Sequence, residues 1–164
     1  MRSVESLFQF KHYKIDHLEM STRSTLDTLQ LTSTPPGSEW RLDVSFRTPA
    51  WSPQHHFYLG GMDCRLTLQT ADPQQDQTEP VLTIEAGIAG LFSVGADRFS
   101  AEIENRLVRT QIPGILFPYL RSTLTFLLAS AGMGSVILPL LNIQKMAEGQ
   151  SMDVAVIPNA PEGP

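Results

Sequence analysis

Two kinds of apolar pattern follow each other along this chain, one typical of strands and the other typical of helices. Apolar and polar residues alternate over residues 7–20, 41–47, 57–69 and 81–94, as expected of strands with one buried face. From residue 99 onward, apolar residues recur at every third or fourth position, which is the spacing of one helix face. Strands followed by helices predict an α+β fold, with a four-stranded antiparallel sheet that a long helix and a shorter C-terminal helix cover on one face.

The strands differ in how regular their alternation is and in what separates them. The first strand departs from strict alternation near His17, which indicates a β-bulge. Polar segments separate the strands and are interpreted as loops at residues 21–39, 48–54 and 71–80. Isolated leucines interrupt the first of these loops, and such leucines usually hold a long loop against the rest of the protein: Leu26, Leu29 and Leu31.

The main helix is predicted within the most apolar run of the chain, residues 112–142. We expect it to begin near residues 115–117, which places Pro118 in the first turn, where its missing N–H has no helical partner in any case. Gly132 and Gly134 are expected to end it. Shorter helices are predicted on either side, over residues 99–110 with an N-cap at Asp97 and after Asn142.

This main helix is apolar on two sides. One side can cover the sheet of its own chain, while Tyr119 and Phe126 lie on the other side. The helix is then either the central helix of a monomeric core or a helix whose second face meets another subunit. Leaving that face in water would expose several hundred Å², about the limit for a monomer. We therefore predict an oligomer, with Tyr119, Thr123 and Phe126 at its interface.

The composition narrows the classes of partner and the compartment. The net charge is −5, so a phosphate backbone would be repelled, and we expect no nucleic-acid partner. The N-terminus lacks the apolar core of a signal peptide, and polar residues interrupt the longest apolar run. We expect a cytoplasmic protein without membrane insertion, with one domain at residues 1–149 and a disordered tail at residues 150–164.

No arrangement of reactive side chains predicts catalysis. The histidines lack the spacing with Cys, Asp or Glu that a zinc site needs, and neither a nucleophile elbow nor a phosphate-binding glycine pattern is present. Cys64 lies in a predicted strand and is interpreted as a small buried hydrophobe. We expect a non-enzymatic protein with no cofactor and no bound metal.

The segment at residues 133–141 is the informative one for function. It is rich in Met, Val, Ile and Leu although it follows the predicted end of the helix. Exposed, such side chains suit a surface that accepts many different sequences. The alternative is that the segment folds back into the core of its own chain.

Three short motifs stand in the second half of the chain. Residues 90–94 are GLFSV, residues 113–121 are PGILFPYLR, and residues 138–143 are LPLLNI. In this order they resemble the G-I-F-S-I, P-x-I-L-F-P-Y-x-R and L-x-P-x-N-F motifs of the SecB protein-export chaperones. The resemblance covers roughly residues 85–146, and the earlier part of the chain matches only in its overall pattern.

The resemblance implies a SecB-like fold in which residues 21–39 cross over from the first strand to the second. It also implies an ATP-independent chaperone, a holdase, that binds unfolded polypeptides in an apolar groove. The crossover and the loop between the helices would line this groove with the following residues: Leu26, Leu29, Trp40, Met133, Val136, Ile137, Leu138, Leu140 and Met146. The family forms a homotetramer, a dimer of dimers, with the main helix between the dimers.

Two chaperone roles follow from the same resemblance, and a third role remains open. In general export, SecB proteins keep preproteins translocation-competent and deliver them to the motor SecA through acidic positions on the sheet. Glu85 matches one such position by register, and Asp16 and Glu19 lie where the others would be. Some diverged relatives instead hold the antitoxin of a toxin–antitoxin pair. A protein-interaction module on the same fold, without holdase activity, is the remaining alternative.

Overall fold

The computed structural model describes residues 7–30, 37–70, 79–95, 97–148 and 152–159. Within them, strands precede the helices, as the sequence predicts, apart from one short helix in the crossover and one short strand near the C-terminus. The elements are β1 (Phe8–Thr22), α1 (Thr25–Gln30), β2 (Ser38–Phe46), β3 (Ala50–Ser52), β4 (Phe57–Thr70), β5 (Leu82–Val94), α2 (Ala101–Arg106), a π-helical segment (Leu107–Gln111), α3 (Ile112–Ser130), α4 (Ile143–Ala147) and β6 (Ala155–Val156).

All of these strands belong to one sheet, which differs from the predicted sheet at one edge. β1, β5, β4 and β2 are neighbours in that order, and each neighbouring pair is antiparallel, as predicted for the four long strands. Over the described residues the sheet has six strands rather than four, because β3 also pairs with β4, and β6 pairs with β3 in parallel. Residues 48–54, predicted as a loop, thus contain a strand, and so does the part of the predicted disordered tail that the structure describes. Both strands are too short to show a local period. β3 forms a hairpin with the start of β4, from Ser52 to Phe57, whereas β6 pairs with residues about one hundred positions earlier.

β1 keeps its apolar side toward the helices by means of two bulges. Its pairing with β5 shifts register between Phe10 and His12 and again between Ile15 and His17. Each bulge adds one residue and so reverses which alternate positions face the helices. The apolar residues consequently share one face despite their changing spacing: Phe8, Phe10, Tyr13, Ile15, Leu18 and Met20. The bulge predicted near His17 is confirmed, and the other was not evident from the sequence.

The helices differ from the prediction mainly in where they begin. α2, the π-helical segment and α3 form one continuous run, Ala101–Ser130, where separate helices were predicted. The N-cap residue is Ser100 rather than Asp97. Pro118 was predicted to lie in the first turn of this helix. It lies inside α3 instead. A proline there removes one backbone hydrogen bond, and the burial of Leu116 and Leu120 on either side of it offsets that loss.

α3 packs directly on the two central strands because glycines lie beneath it. A Cβ atom on Gly90 would stand 2.6 Å from Cδ2 of Leu116, and one on Gly60 would collide with the side chain of Ile112. The helix therefore buries one continuous face against the sheet: Ile112, Leu116, Leu120, Leu124 and Leu128. The opposite face contributes nothing to this core.

The C-terminal end of α3 is confirmed as a glycine cap. Gly132 has φ +81 and its N–H donates to the Ala129 carbonyl at 3.1 Å, while the Met133 N–H donates to Leu128 at 3.0 Å. This pair of bonds is the Schellman motif. α4 begins with a side-chain cap, since Oδ1 of Asn142 accepts the Lys145 N–H at 3.0 Å.

The run Ala101–Ser130 is long and apolar enough to cross a membrane, judged by length and composition alone. Part of this helix was expected to be too interrupted by polar residues to reach that threshold. Its buried face lies on the sheet of the same chain. A helix that forms the core of a protein passes the same test.

A buried acidic residue fixes α2 to the sheet. Glu104 is 6% exposed, and its carboxylate accepts hydrogen bonds from the Tyr58 hydroxyl at 2.6 Å and from Arg98 at 2.6 and 2.7 Å. The hydrogen bonds from Arg98 lower the pKa of Glu104, and the Tyr58 hydroxyl adds to this effect, although burial opposes it. The ion pair thus satisfies a charge that could not otherwise be buried.

Because the folded-state pKa of Glu104 lies below its unfolded value, this group stabilises the fold above the unfolded pKa of about 4.3. Its contribution is lost as the pH falls from that value through the lowered folded pKa. We expect Glu104→Gln to cost about 1.5–3 kcal/mol at pH 7 and to weaken the acid dependence of unfolding below about pH 4.3. Urea unfolding at several pH values measures both effects. Glu102→Gln, exposed on the same helix, is the matched control and should leave them unchanged.

Candidate functional site

The loop after α3 alternates between buried and exposed apolar residues. Met133, Val136 and Leu138 belong to the core, and Leu138 is only 1% exposed. Ile137 and Leu140 point outward and are 87% and 80% exposed. The loop is therefore both part of the core and an apolar surface, and only its outward residues are accessible to a ligand.

This loop is held by α3 as well as by its buried side chains. Nη2 of Arg121 donates a hydrogen bond of 2.7 Å to the Leu138 carbonyl. Gly134 adopts a positive φ of 73, a conformation that glycine takes without strain. The outward position of Ile137 is consequently fixed before any partner arrives.

A depression of about 570 Å³ lies between α3 and this loop. Phe126 on α3 and Ile137 on the loop line it together with Pro118 and Arg121. Phe126 is 74% exposed. The structure thus brings together one residue predicted for the groove and one predicted for the oligomer interface.

The remaining groove residues lie on other elements. Leu26 and Leu29 are exposed on α1. Trp40 is half-buried on β2, opposite Leu68, on the side of the sheet that faces the helices. Met146 is half-buried on α4.

The residues predicted for the oligomer interface lie along α3. Tyr119 is partly used within the chain, since its ring lies 4.5 Å from the ring of Tyr13 and 5.5 Å from that of Phe10. The Thr123 hydroxyl donates to the Tyr119 carbonyl at 3.0 Å. Phe126 remains as the large apolar side chain of this face without such cover.

The face of the sheet opposite the helices carries charged residues from several strands. Arg47 donates hydrogen bonds to Asp16 at 2.6 and 2.9 Å and to Asp63 at 2.6 and 2.9 Å. Its side chain passes over Gly87, where a Cβ atom would stand 2.7 Å from Asp63 and 2.8 Å from Asp16. Arg47 lowers the pKa of Asp16 and so keeps it ionised. Asp16, predicted to face SecA, is therefore engaged within the chain.

The other two predicted SecA-facing residues, Glu19 and Glu85, are paired directly across β1 and β5. Glu85 contacts Arg65 at 3.3 Å. Together with His17 they form the one group among the described residues whose donor atoms, all within 4.8 Å of one another, could hold a metal ion. These side chains are exposed or half-buried, and an ion there would compete with Arg65.

Cys64 matches the interpretation as a buried hydrophobe. It is unpaired and buried, and burial raises the pKa of its thiol to about 11. At neutral pH the thiol is protonated, and a protonated thiol is a poor nucleophile.

Sequence reasoning missed three arginines that join separate parts of the structure, of which Arg121 holds the loop after α3. Arg47, Arg98 and Arg121 each bind a partner that is distant in the sequence or lies on another element. The only available signal was that Arg121 is the sole charge in an otherwise apolar helix.

The fold is that of a SecB-like protein. The structure superposes on the Rv1957 SecB-like chaperone of Mycobacterium tuberculosis, solved in complex with a ChAD peptide from the Rv1956 HigA1 antitoxin. The TM-score is 0.62 at 17% identity, covering 82% of this chain and 91% of that chain. The sequence-based resemblance to SecB proteins is thereby confirmed for the fold.

A second solved structure, a protein of unknown function from Streptococcus agalactiae, has a TM-score of 0.36 at 8% identity. It covers 81% of this chain and 97% of that chain, and a similarity this low supports no argument. No protein-family model and no curated protein matches the sequence.

Proposed function

We propose, starting from the SecB-like fold, that this protein is a cytoplasmic, ATP-independent chaperone that holds polypeptide segments in an extended or unfolded state. The observation that carries the proposal is the loop after α3, which presents Ile137 and Leu140 to solvent while its buried residues and Arg121 fix it to the core. Large aliphatic side chains held outward in this way suit the binding of apolar segments.

The energetics fit a holdase that works without nucleotide. Burying one large apolar side chain is worth about 1.5–3 kcal/mol, and Ile137 and Leu140 offer two such side chains. This gain arises on contact and is lost on release, so that binding needs no coupled reaction. Because aliphatic contacts are not directional, segments of different sequence can be held.

The favoured partner is the antitoxin of a toxin–antitoxin pair. The SecB-like neighbour is solved with an antitoxin peptide, which supports a partner of this class. The C-terminal residues SMDVAVIPNAPEGP contain only two acidic side chains and differ from the tail of the export chaperones that the resemblance implies.

General export remains the second candidate, on the basis of one observation. Glu19 and Glu85 form an accessible acidic pair on the sheet face opposite the helices, where the resemblance implies that SecA binds. Asp16 adds no free charge, because Arg47 binds it.

We further propose that the protein assembles as a homotetramer, a dimer of dimers. Phe126 supports an interface on α3, because a phenylalanine exposed to this degree is costly to leave in water. In the part of the chain that the structure describes, β1 is an edge strand of 15 residues, and an edge strand of this length suits a dimer contact.

The holdase proposal is tested by changing the outward residues of the loop. Ile137→Ser with Leu140→Ser should weaken binding of a permanently unfolded polypeptide, such as reduced carboxymethylated α-lactalbumin, by about tenfold for each 1.4 kcal/mol of lost burial. Fluorescence anisotropy measures this affinity, and circular dichroism should show an unchanged fold. Leu7→Ser, exposed outside the loop, is the control. If the unmodified protein, the double variant and the Leu7→Ser control bind the unfolded polypeptide with equal affinity, the loop is not part of the binding surface. If the protein binds one folded partner and no unfolded polypeptide, it is an interaction module.

The export role is tested by Glu85→Lys. This substitution should weaken SecA binding several-fold and leave the free energy of unfolding nearly unchanged, because Glu85 lies on the accessible face of the sheet and its ion pair with Arg65 is solvated. Titration calorimetry at low salt measures the affinity for SecA. Glu39→Lys, at an exposed residue of β2, is the control. No SecA binding by the unmodified chain would leave the antitoxin role as the sole chaperone role proposed.

The assembly is tested by Phe126→Glu. The unmodified protein should have a mass four times the 18.2 kDa of one chain, and the variant should fall to a dimer because an unpaired carboxylate cannot be buried in the interface. Light scattering coupled to size exclusion gives the mass. Gln111→Glu, exposed one residue before α3 begins, should leave it unchanged, and a monomeric wild-type protein would contradict the proposed assembly.

A further inference from the structure

The edge of the sheet beside β4 is formed by two strands and is covered along only one of them. β2 pairs with β4 from Ser38 to Phe46, and β3 continues the same edge from Ala50 to Ser52. The Arg47 N–H donates to the Gly61 carbonyl at 3.0 Å, so the edge continues between the two strands. In the part of the chain that the structure describes, β6 pairs with β3 and no strand pairs with the outer side of β2.

β6 is held weakly for a strand. It has two residues. The Ala155 N–H donates to the Pro49 carbonyl at 2.9 Å, and the N–H of Ile157, directly after β6, donates to the Trp51 carbonyl at 2.8 Å. Ala155 and Val156 are exposed, whereas the preceding residue, Val154, packs against the core. The pairing is parallel, which is slightly less stable per residue than antiparallel pairing.

The segment that carries β6 can leave without disturbing the helices. α4 ends at Ala147, which is buried, and its carbonyl accepts a hydrogen bond from Nη2 of Arg109. This contact fixes the end of α4 independently of residues 152–159. What leaves is a short extended strand, and what it uncovers is the backbone of β3 beside the buried side chain of Trp51.

We infer that the β3 edge is a strand-addition site for extended polypeptide, and that the chain's own segment 152–159 occupies it as a displaceable strand. The chemistry of the occupant is given by β6 itself, an extended segment with the aliphatic side chains Val154, Val156 and Ile157. An unfolded client has the same chemistry. It can also pair in the antiparallel direction and extend along β2, which the tethered segment does not do.

This inference rests on the proposed function, and it adds a regulatory element to it. A client that needs the β3 edge must first displace β6, so its apparent affinity is reduced by the fraction of chains in which the edge is free. Destabilising β6 should therefore tighten client binding. Most substitutions near a binding site weaken binding, which makes the sign of this effect informative.

The test uses two proline substitutions in the full-length chain. Ala155→Pro removes the N–H that donates to Pro49, whereas Val156→Pro removes an N–H that points away from β3, because successive N–H groups of a strand face opposite sides. Labelled, reduced carboxymethylated α-lactalbumin is the probe, and anisotropy gives its Kd. We expect Ala155→Pro to lower the Kd about three- to tenfold and Val156→Pro to leave it unchanged. Equal Kd values for all proteins, or equal tightening by both prolines, would overturn the inference.

A second measurement separates this inference from the proposed function. A labelled peptide of residues 150–161 is added to a chain truncated after Glu148, with circular dichroism to confirm that the truncated chain is folded. We expect the peptide to bind and the unfolded protein to displace it, and binding without displacement would overturn the shared site. If no form of the protein binds the unfolded client, the proposed function fails. The peptide alone then decides whether the β3 edge accepts a strand, and its failure to bind would overturn the inference.

Discussion

The close contact of α3 with the sheet is the constraint on which the rest of the structure depends. Gly60 and Gly90 leave no room for a Cβ atom beneath the helix, so α3 can bury only the face that fits these two strands. Its other face, with Phe126, must then lie outside. The chain that follows returns onto the same core, which is why Val136 and Leu138 are buried while the residue between them is exposed.

Much of the fold could be predicted from local pattern. The long strands, the bulge near His17, the glycine end of α3 and the short α4 all carry a period or a terminal residue that physical chemistry interprets directly. The errors fall where packing or strand pairing overrides the preference of the local sequence. Pro118 lies inside a helix because apolar burial on both sides of it outweighs one lost bond. β3 and β6 exist only because each pairs with a strand elsewhere.

The candidate site was less predictable for the same reason. The apolar loop could be recognised from its composition, but its composition does not reveal which of its residues face inward. That division depends on the Schellman bonds after α3 and on Arg121, which binds a carbonyl 17 positions later in the chain. From the sequence, Asp16 is likewise expected to be a free surface carboxylate. In the fold, Arg47, 31 positions away, contacts it.

The binding surface that we propose for the loop after α3 is subject to two opposing requirements, and the alternation of buried and exposed residues in this loop meets both. Exposed aliphatic side chains promote aggregation when they sit on mobile segments, yet a surface that binds apolar segments must keep them exposed. Burying Leu138 beside Ile137 couples the exposed residue to the core, so that Ile137 cannot collapse inward without displacing a buried leucine. The depression beside Ile137 and the edge of the sheet at β3 are similar in one respect. In each, a segment of this chain is held by a few specific contacts. At the loop the side chains of Ile137 and Leu140 stay exposed, and at β3 we propose that another polypeptide can take the place of β6.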